Sequence, residues 1–403
     1  MSTAAPNTAP LIKGRLPPSV VPRHYDLHYT SIELERHTFE GTVSIDVDVL
    51  AGVTSEGVDC ITLHSIELDI IKAEYRPDAS SRPAVEAFEY RYHLPSQTCR
   101  LIFERSSIPT NSSGILVLTF RGILNDLMHG FYRSTYESMD GRTLTIATTQ
   151  FEPTDARRAY PCFDEPALKA TFKLRATVAV DPTRSGLRCF SNTPVQNTYT
   201  FSEPVPGCNR SIVKKTYEFA TTPLMSTYLL ALIVAELDGI STTPTTGLTK
   251  GITTTVYTVP GKSHEGQFCL GVASQCLELY ANLFGVPYPL GKSDLVALPD
   301  FAAGAMENWG LVTYREAKIV VKESTSESMK RGTARTVCHG KYRFSVYFCS
   351  YSNFFEETFH NGFGLYSYHR FSFRCIFSFG NANAPAEISK IALRVPSPRS
   401  NYT

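Results

Sequence analysis

Two short segments of the sequence concentrate residue types that bind and activate substrates. Residues 149–166 read TQFEPTDARRAYPCFDEP and place six charged side chains beside aromatic ones: Glu152, Asp155, Arg157, Arg158, Asp164 and Glu165. Composition alone favours a solvated, ion-paired loop there. Residues 298–310 read LPDFAAGAMENWG and contain the only tryptophan. Their small residues let a substrate backbone approach closely, and Glu307 offers a carboxylate for an α-ammonium group. The alternative is a tight connection that closes a strand.

The elements that must position these segments change character near residue 222. From about residue 16 to 220, apolar and polar residues alternate in short runs such as 42–50, separated by Gly, Pro, Asn and Ser clusters. This pattern predicts a mainly β N-terminal domain, a saddle or sandwich.

The region after residue 222 mixes helix and strand signals. Residues 225–235 form an apolar run that fits a buried strand or a buried helix segment. Helical spacing of apolar residues predicts a helix over 265–284, which ends at Gly285. Residues 324–338 have the pattern of a further helix. We therefore predict a mixed α+β domain.

Composition restricts the classes of partner. The 403 residues carry a net charge of +1, which leaves no surplus for nucleic acid or an anionic membrane surface. No apolar run approaches the ~20 residues of a membrane-spanning helix, and no signal peptide is visible. The ten cysteines are scattered, which is typical of free thiols in a reducing compartment. We expect a cytoplasmic protein with a disordered leader over residues 1–15.

Together, the two segments resemble the gluzincin zinc aminopeptidases, the family of aminopeptidase N, puromycin-sensitive aminopeptidase and leukotriene hydrolase. Residues 304–308 spell the G-A-M-E-N signature, and residues 149–167 match a long family-specific stretch. Residues 130–136 and 311–316 are also similar, and they favour the puromycin-sensitive branch. The resemblance covers about residues 15–339.

The resemblance implies a fold and an activity. The family has a β-saddle domain, a thermolysin-like catalytic domain and a large helical domain. For this sequence it implies a saddle over 16–221, an incomplete catalytic domain over 222–339 and no helical domain. Family members remove the first residue of peptides with a zinc-bound water that a glutamate base activates. The implied partner is a peptide with a free N-terminus.

The resemblance also assigns substrate-binding residues. Two acidic residues, Glu152 and Glu307, would hold the free N-terminus of the peptide. The others would lie along the substrate backbone or contact its first side chain: Phe151, Gly304, Ala305, Met306 and Asn308.

The zinc motif of the family does not continue in this sequence. Family members read T-V-C-H-E-x-x-H, so two histidines share one helix face with the glutamate base between them. This chain reads T-V-C-H up to His339 and then has Gly340 at the base position. Arg343 and Gly362 occupy the other two ligand positions. We expect His339 to be the lone remaining ligand, so that zinc is not bound stably and peptide hydrolysis is lost.

Residues 340–403 form a tail that differs from the rest of the chain. Residues 341–380 hold 15 of the 46 aromatic residues without a clean period. Glu356 and His360 have metal-ligand spacing, with His369 nearby, but their aromatic context is not typical of a zinc site. We expect the tail to be unstructured or misfolded.

The codons for His-Gly-Lys-Tyr can contain GTAAGT, a eukaryotic splice-donor pattern. The hypothesis is that the tail is translated from a retained intron. Truncation of the catalytic domain would expose apolar surface and favour chaperone capture.

Three interpretations stay open at this point. The chain is a zinc aminopeptidase by family with a broken active site, a metal-free fragment that binds peptide N-termini, or a mis-spliced product without function.

Overall fold

The computed structural model describes residues 15–50, 58–78, 83–105, 107–205, 207 and 211–349. The chain divides into two compact units. Unit 1 is built from residues up to Ser134 and from Thr145 to Ala235, and unit 2 from Thr135–Leu144 and the residues from Glu236 onward. The predicted leader lies outside the described residues, apart from Arg15.

Unit 1 is a β structure, which confirms the predicted fold class of the N-terminal region. Its largest sheet has eight strands in the order β13-β14-β11-β1-β2-β8-β4-β5. A three-stranded sheet has the order β3-β7-β6, and a four-stranded sheet has the order β12-β15-β10-β9. The strands are β1 (Val20–Glu33), β2 (Thr38–Val49), β3 (Cys60–His64), β4 (Leu68–Pro77), β5 (Val85–Glu86), β6 (Glu89–His93), β7 (Thr98–Ile102), β8 (Ser112–Ile123), β9 (Gly130–Glu137), β10 (Thr143–Gln150), β11 (Thr171–Ala179), β12 (Leu187–Ser191), β13 (Val195–Pro204), β14 (Ser211–Phe219) and β15 (Leu232–Glu236).

The alternating pattern that predicts strands has a direct physical basis in β2. Every second residue from Phe39 onward is buried, as a strand with one face on a core requires. β2 pairs antiparallel with β1 and with β8. The core beside them is aromatic, with the Tyr29 and Phe131 ring centroids 5.2 Å apart and those of Phe39 and Phe131 5.1 Å apart.

The apolar run 225–235 contains both a short 3-10 helix and a strand. Thr227–Leu229 forms the 3-10 helix, and β15 follows it. β15 pairs antiparallel with β10 of unit 1. The domain limit at residue 221, drawn from the sequence, stays a prediction.

Unit 2 has the predicted α+β character. Its five-stranded sheet has the order β16-β17-β18-β20-β19, in which β18 runs parallel to β17 and β20. The elements are β16 (Asp238–Thr242), β17 (Thr253–Thr258), α1 (Gln267–Phe284), β18 (Lys292–Leu298), β19 (Ala305–Met306), β20 (Leu311–Arg315), α2 (Glu316–Ile319) and α3 (Glu327–Cys349). α1 ends at Gly285, which adopts the left-handed conformation at φ 66° that favours glycine as a helix cap.

The helix α3 reaches further along the chain than the sequence predicts. It passes through His339 and Gly340 and continues to Cys349. The expectation of an unstructured tail therefore does not hold for residues 340–349. Helix extension is cooperative, and no proline interrupts this stretch. The remaining tail, 350–403, lies outside the described residues.

Candidate functional site

The small-residue segment of unit 2 forms the edge of its sheet. Among the strands that the structure describes, β19 pairs only with β20, antiparallel, with Ala305 opposite Tyr314 and Met306 opposite Thr313. Gly304 has open space where a side chain would project. An edge strand has backbone N–H and C=O groups directed away from the sheet, which suits pairing with an extended peptide.

Arg315 holds the turn that leads into this edge strand. Its Nε donates to the carbonyl of Phe301 at 2.9 Å, and its Nη2 donates to the carbonyl of Ala302. Its backbone N–H donates to the carbonyl of Gly304 at 3.2 Å. One arginine at the end of β20 therefore fixes the approach to β19.

The residues that follow the edge strand turn into the protein. Glu307, Asn308 and Trp309 are 3%, 1% and 1% exposed. The side-chain Nδ2 of Asn308 donates to the Thr313 hydroxyl at 3.3 Å, and the backbone carbonyl of Asn308 accepts from the Leu311 N–H at 3.1 Å. Glu307 therefore places a carboxylate in a low-dielectric setting directly after the edge strand, where water screens its attraction to a cation only weakly.

Tyr314 interacts electrostatically with this acidic residue, and Gly340 faces the Tyr314 hydroxyl. Burial raises the pKa of Tyr314 well above its ordinary value, and the charges of Cys269 and Glu307 raise it further. Among the described residues, none is a hydrogen-bond partner of the Tyr314 hydroxyl. A Cβ at Gly340 would stand 2.9 Å from that hydroxyl. The position expected to carry the catalytic base therefore faces Tyr314, and it has no side chain.

The first charged segment forms a buried ion pair in unit 1. Arg157 and Asp164 are 7% and 2% exposed. The Arg157 Nε donates to Asp164 Oδ2 at 2.9 Å, and the Thr227 hydroxyl donates to Asp164 Oδ1 at 2.6 Å. The solvated loop favoured by composition is therefore wrong. Burial raises the pKa of Asp164, while the contacts from Thr227 and Arg157 oppose that rise. These side chains hold the segment together.

The two site residues predicted in that segment lie directly after β10. Phe151 is 2% exposed, and its ring meets Tyr160 edge-on at a centroid distance of 6.1 Å. Glu152 is half-buried and precedes Pro153 through a cis peptide bond. Both belong to unit 1, whereas Gly304, Ala305, Met306, Glu307 and Asn308 all belong to unit 2. Their roles toward a substrate stay predictions.

Two protein-family models match the sequence of this chain. The Peptidase M1 N-terminal domain matches residues 21–229, and the Peptidase family M1 domain matches residues 268–341. The chain belongs to peptidase family M1. The M1 match ends at Lys341, close to the point where the zinc motif stops.

Several M1 relatives are similar to this chain over most of its length. It is 41% identical over 332 residues to Aminopeptidase M1 of Arabidopsis thaliana, covering 81% of this chain and 34% of that protein. It is 37% identical over 332 residues to Endoplasmic reticulum aminopeptidase 1 of Homo sapiens, with 82% and 32% covered. It is 39% identical over 313 residues to Aminopeptidase 2, mitochondrial, of Saccharomyces cerevisiae, with 77% and 30% covered. The chain spans about a third of the length of these relatives. The puromycin-sensitive branch stays a prediction.

The residues present do not fit the zinc that the M1 family implies. His339 is exposed on α3, and Gly340 beside it has no side chain that could bind a metal. A cationic Arg343 stands at the position of the second ligand. Within the part of the chain that the structure describes, no three His, Cys, Asp or Glu side chains form a group that could hold a metal ion. Glu356, His360, Gly362 and His369 lie outside those residues.

Sequence reasoning missed two residues beside the candidate site. Arg315 holds the turn before β19, and Tyr314 interacts electrostatically with Glu307 and faces Gly340. Both are in the segment LVTYRE, which resembles the family, but its spacing gives no signal for either role.

The helices of the described residues include none long and apolar enough to cross a bilayer.

Proposed function

We propose that this chain binds the free N-terminus of peptides through Glu307 and does not cleave them. The substrate class follows from M1 membership and from relatives that are named aminopeptidases. The peptide would extend β19 as an added strand, and its α-ammonium group would bind the Glu307 carboxylate. The role of Glu152, which belongs to unit 1, stays a prediction.

The burial of Glu307 directly beyond an open strand edge is the observation that carries this proposal. The attraction between an ammonium group and a carboxylate that is 3% exposed is screened far less than the same attraction in water. Gly304 leaves open space beside the strand, so a substrate backbone could approach closely. This arrangement supports recognition of a strand that begins with a positive charge.

The lack of cleavage is proposed from the residues on α3. Hydrolysis in the family needs a metal-activated water and a carboxylate base. Gly340 cannot act as a base, and arginine, the residue at position 343, is not a metal ligand. The binding half of the reaction would survive this loss because β19 and Glu307 do not depend on the zinc ligands.

Trp309 provides a direct measurement of binding. It is the only tryptophan, it is buried, and it lies two residues from Glu307. We would titrate the full chain with an alanine tetrapeptide, and separately with its N-acetylated form, while recording Trp309 fluorescence. The free peptide is expected to bind at least ~10-fold more tightly than the acetylated one, because acetylation removes the charge. Added chelator should leave binding unchanged.

Two variants show whether Glu307 is responsible. Glu307→Gln should weaken binding of the free peptide by at least ~10-fold and have little effect on the acetylated one. Glu316→Gln is the matched control, because Glu316 is also in unit 2 but pairs with Lys262 at 2.6 Å. Equal binding of the two peptides would overturn the proposal. Zinc-dependent release of an amino acid from an aminoacyl amide would overturn the lack of cleavage.

A further inference from the structure

Two cysteine side chains meet in the core of unit 2. Cys276 lies on α1 and Cys338 on α3, and their Sγ atoms are 2.7 Å apart. Apolar side chains normally touch at about 4 Å, so this contact is unusually close. The sulfur atoms of a disulfide are about 2.05 Å apart, roughly 0.7 Å closer than the two thiols. Both cysteines are free in the structure.

The helices that carry the two thiols are packed rigidly against each other. The same α1 face contributes Val272 and Ala273 to a core cluster that also includes Val337 of α3. One turn after Cys276, the Tyr280 hydroxyl donates to the Cys338 carbonyl at 3.2 Å. Neither sulfur is therefore on a loop that could bring it into contact by chance.

We propose that Cys276 and Cys338 form a reversible disulfide that links α1 to α3. With hydrogen peroxide as the oxidant, one thiol sulfur attacks the peroxide, the O–O bond breaks, and a sulfenic acid and one water form. The second thiol then displaces the sulfenic oxygen as another water, and the S–S bond forms. The two sulfurs lose two electrons, which reduce the peroxide to two waters. Either sulfur can form the sulfenic acid, because both residues are buried, Cys338 at 5% and Cys276 at 1% exposure.

The bond would fix the helix that ends the M1-like sequence. Cys338 directly precedes His339, so a crosslink at Cys338 ties this part of α3 to α1. The two cysteines are 62 residues apart in the chain, and closing such a loop restricts the unfolded state. The oxidised form should therefore resist unfolding better than the reduced form.

Cys269 supplies an internal comparison. It lies two turns before Cys276 on α1 and is fully buried, but its Sγ donates to the Ile319 carbonyl at 2.9 Å. Cys269 lies on the same helix and is as buried as Cys276, but no thiol of the described residues is in contact with it. The proposal therefore excludes Cys269 from the crosslink.

The test treats the folded, full-length chain with hydrogen peroxide and blocks the remaining thiols with N-ethylmaleimide in denaturant. Trypsin alone releases Cys269 and Cys276 on one peptide, so chymotrypsin is added to cut after Leu270. Non-reducing mass spectrometry should show the Cys276 and Cys338 peptides joined and lighter by two hydrogens. Dithiothreitol should separate them. The thermal midpoint should rise by about 5 to 10 °C on oxidation and return on reduction.

Variants test the assignment. Cys269→Ser should keep the crosslink and the thermal shift, whereas Cys276→Ser and Cys338→Ser should each lose both. The unmodified chain answers the question even where a variant fails to fold. Alkylation of both Cys276 and Cys338 after peroxide treatment would overturn the proposal, as would a crosslink that includes Cys269.

Discussion

The hydroxyl of Tyr314 sits in an energetically unusual position. It is fully buried, its pKa is raised by burial, and no described residue shares a hydrogen bond with it. Leaving a buried hydroxyl without a partner costs about 1–3 kcal/mol. Gly340 lies opposite and has no side chain that could offer a polar atom to it. The absence of a side chain at position 340 therefore bears on stability.

Removing this hydroxyl should stabilise unit 2. Tyr314→Phe is expected to raise the free energy of unfolding by about 1 kcal/mol, because it deletes an unsatisfied polar group and keeps the ring. Urea unfolding followed by circular dichroism measures the change. Tyr280→Phe is the matched control: its hydroxyl donates to the Cys338 carbonyl, so its loss should cost about 1 kcal/mol. Equal destabilisation by both variants would mean that Tyr314 has a partner.

Single residues also show what sequence types can and cannot predict. Glu307 could be proposed as a ligand for an ammonium group from its type and its small neighbours. Arg157 and Asp164 have equally suggestive types, but composition places them in solvent, and the structure buries them as an ion pair. The difference depends on long-range packing, because Asp164 also accepts from Thr227, 63 positions away. The charge pattern of residues 149–166 therefore cannot predict that Thr227 is a partner of Asp164.

At the scale of elements, periodicity predicts long elements and misses short ones. The predicted helix over 265–284 corresponds to α1, Gln267–Phe284, because several turns repeat the apolar spacing. β19 has only two residues, too few for any period. It is defined by its pairing with β20, which no local pattern encodes. The sequence therefore indicates the importance of this segment only through its G-A-M-E-N motif, and the short edge strand β19 has no sequence pattern of its own.

The helix α3 carries a lysine on its inward face. Lys341 is 1% exposed, lies one turn after Val337, and donates to the Ser293 hydroxyl. Burial lowers its pKa to about 8; the charges of Asp294 and Cys276 oppose this, and Lys292 adds to it. An apolar residue would suit this position, because burying a charged lysine is unfavourable.

This burial predicts a specific pH dependence. Between about pH 8 and 10.5 the unfolded lysine holds a proton that the folded one has lost, so the Lys341 contribution to stability rises with pH. Below about pH 8 the folded state bears the full cost of a buried charge. Lys341→Met should therefore stabilise the chain at pH 7 by about 2–3 kcal/mol, and its advantage should shrink toward pH 10.

Urea unfolding of Lys341→Met and of the parent chain across this pH range measures the difference between their free energies of unfolding. The titration of all other groups cancels in this difference. Lys318→Met on α2 is the control, because Lys318 is exposed and should show no such advantage. A constant difference between Lys341→Met and the parent chain at all pH values would contradict the lowered pKa.

At the scale of the whole molecule, the zinc motif of the family and the good packing of α3 stop at the same place in the chain. Cys338 and the residues before it supply a face of α3 that fits the core of unit 2. Immediately afterwards Gly340 leaves Tyr314 unsatisfied, and Lys341 places an ammonium group among buried residues. Minimally frustrated sequences rarely combine two such mismatches in one helical turn. This abrupt change supports the hypothesis that residues 340–403 derive from a retained intron.

The intron hypothesis predicts the genomic sequence. The first G of codon 340 should be followed by GTAAG, and a spliced transcript should read Glu in place of Gly340 and His in place of Arg343. Sequencing the locus and its transcripts across the codons for His339 to Arg343 checks both. A spliced form would carry the base and second ligand that this chain lacks, and it would also place an apolar residue where Lys341 is buried. A locus without GTAAG would contradict the hypothesis. The substitutions would then be encoded changes, and peptide binding at Glu307 would be the activity left to measure.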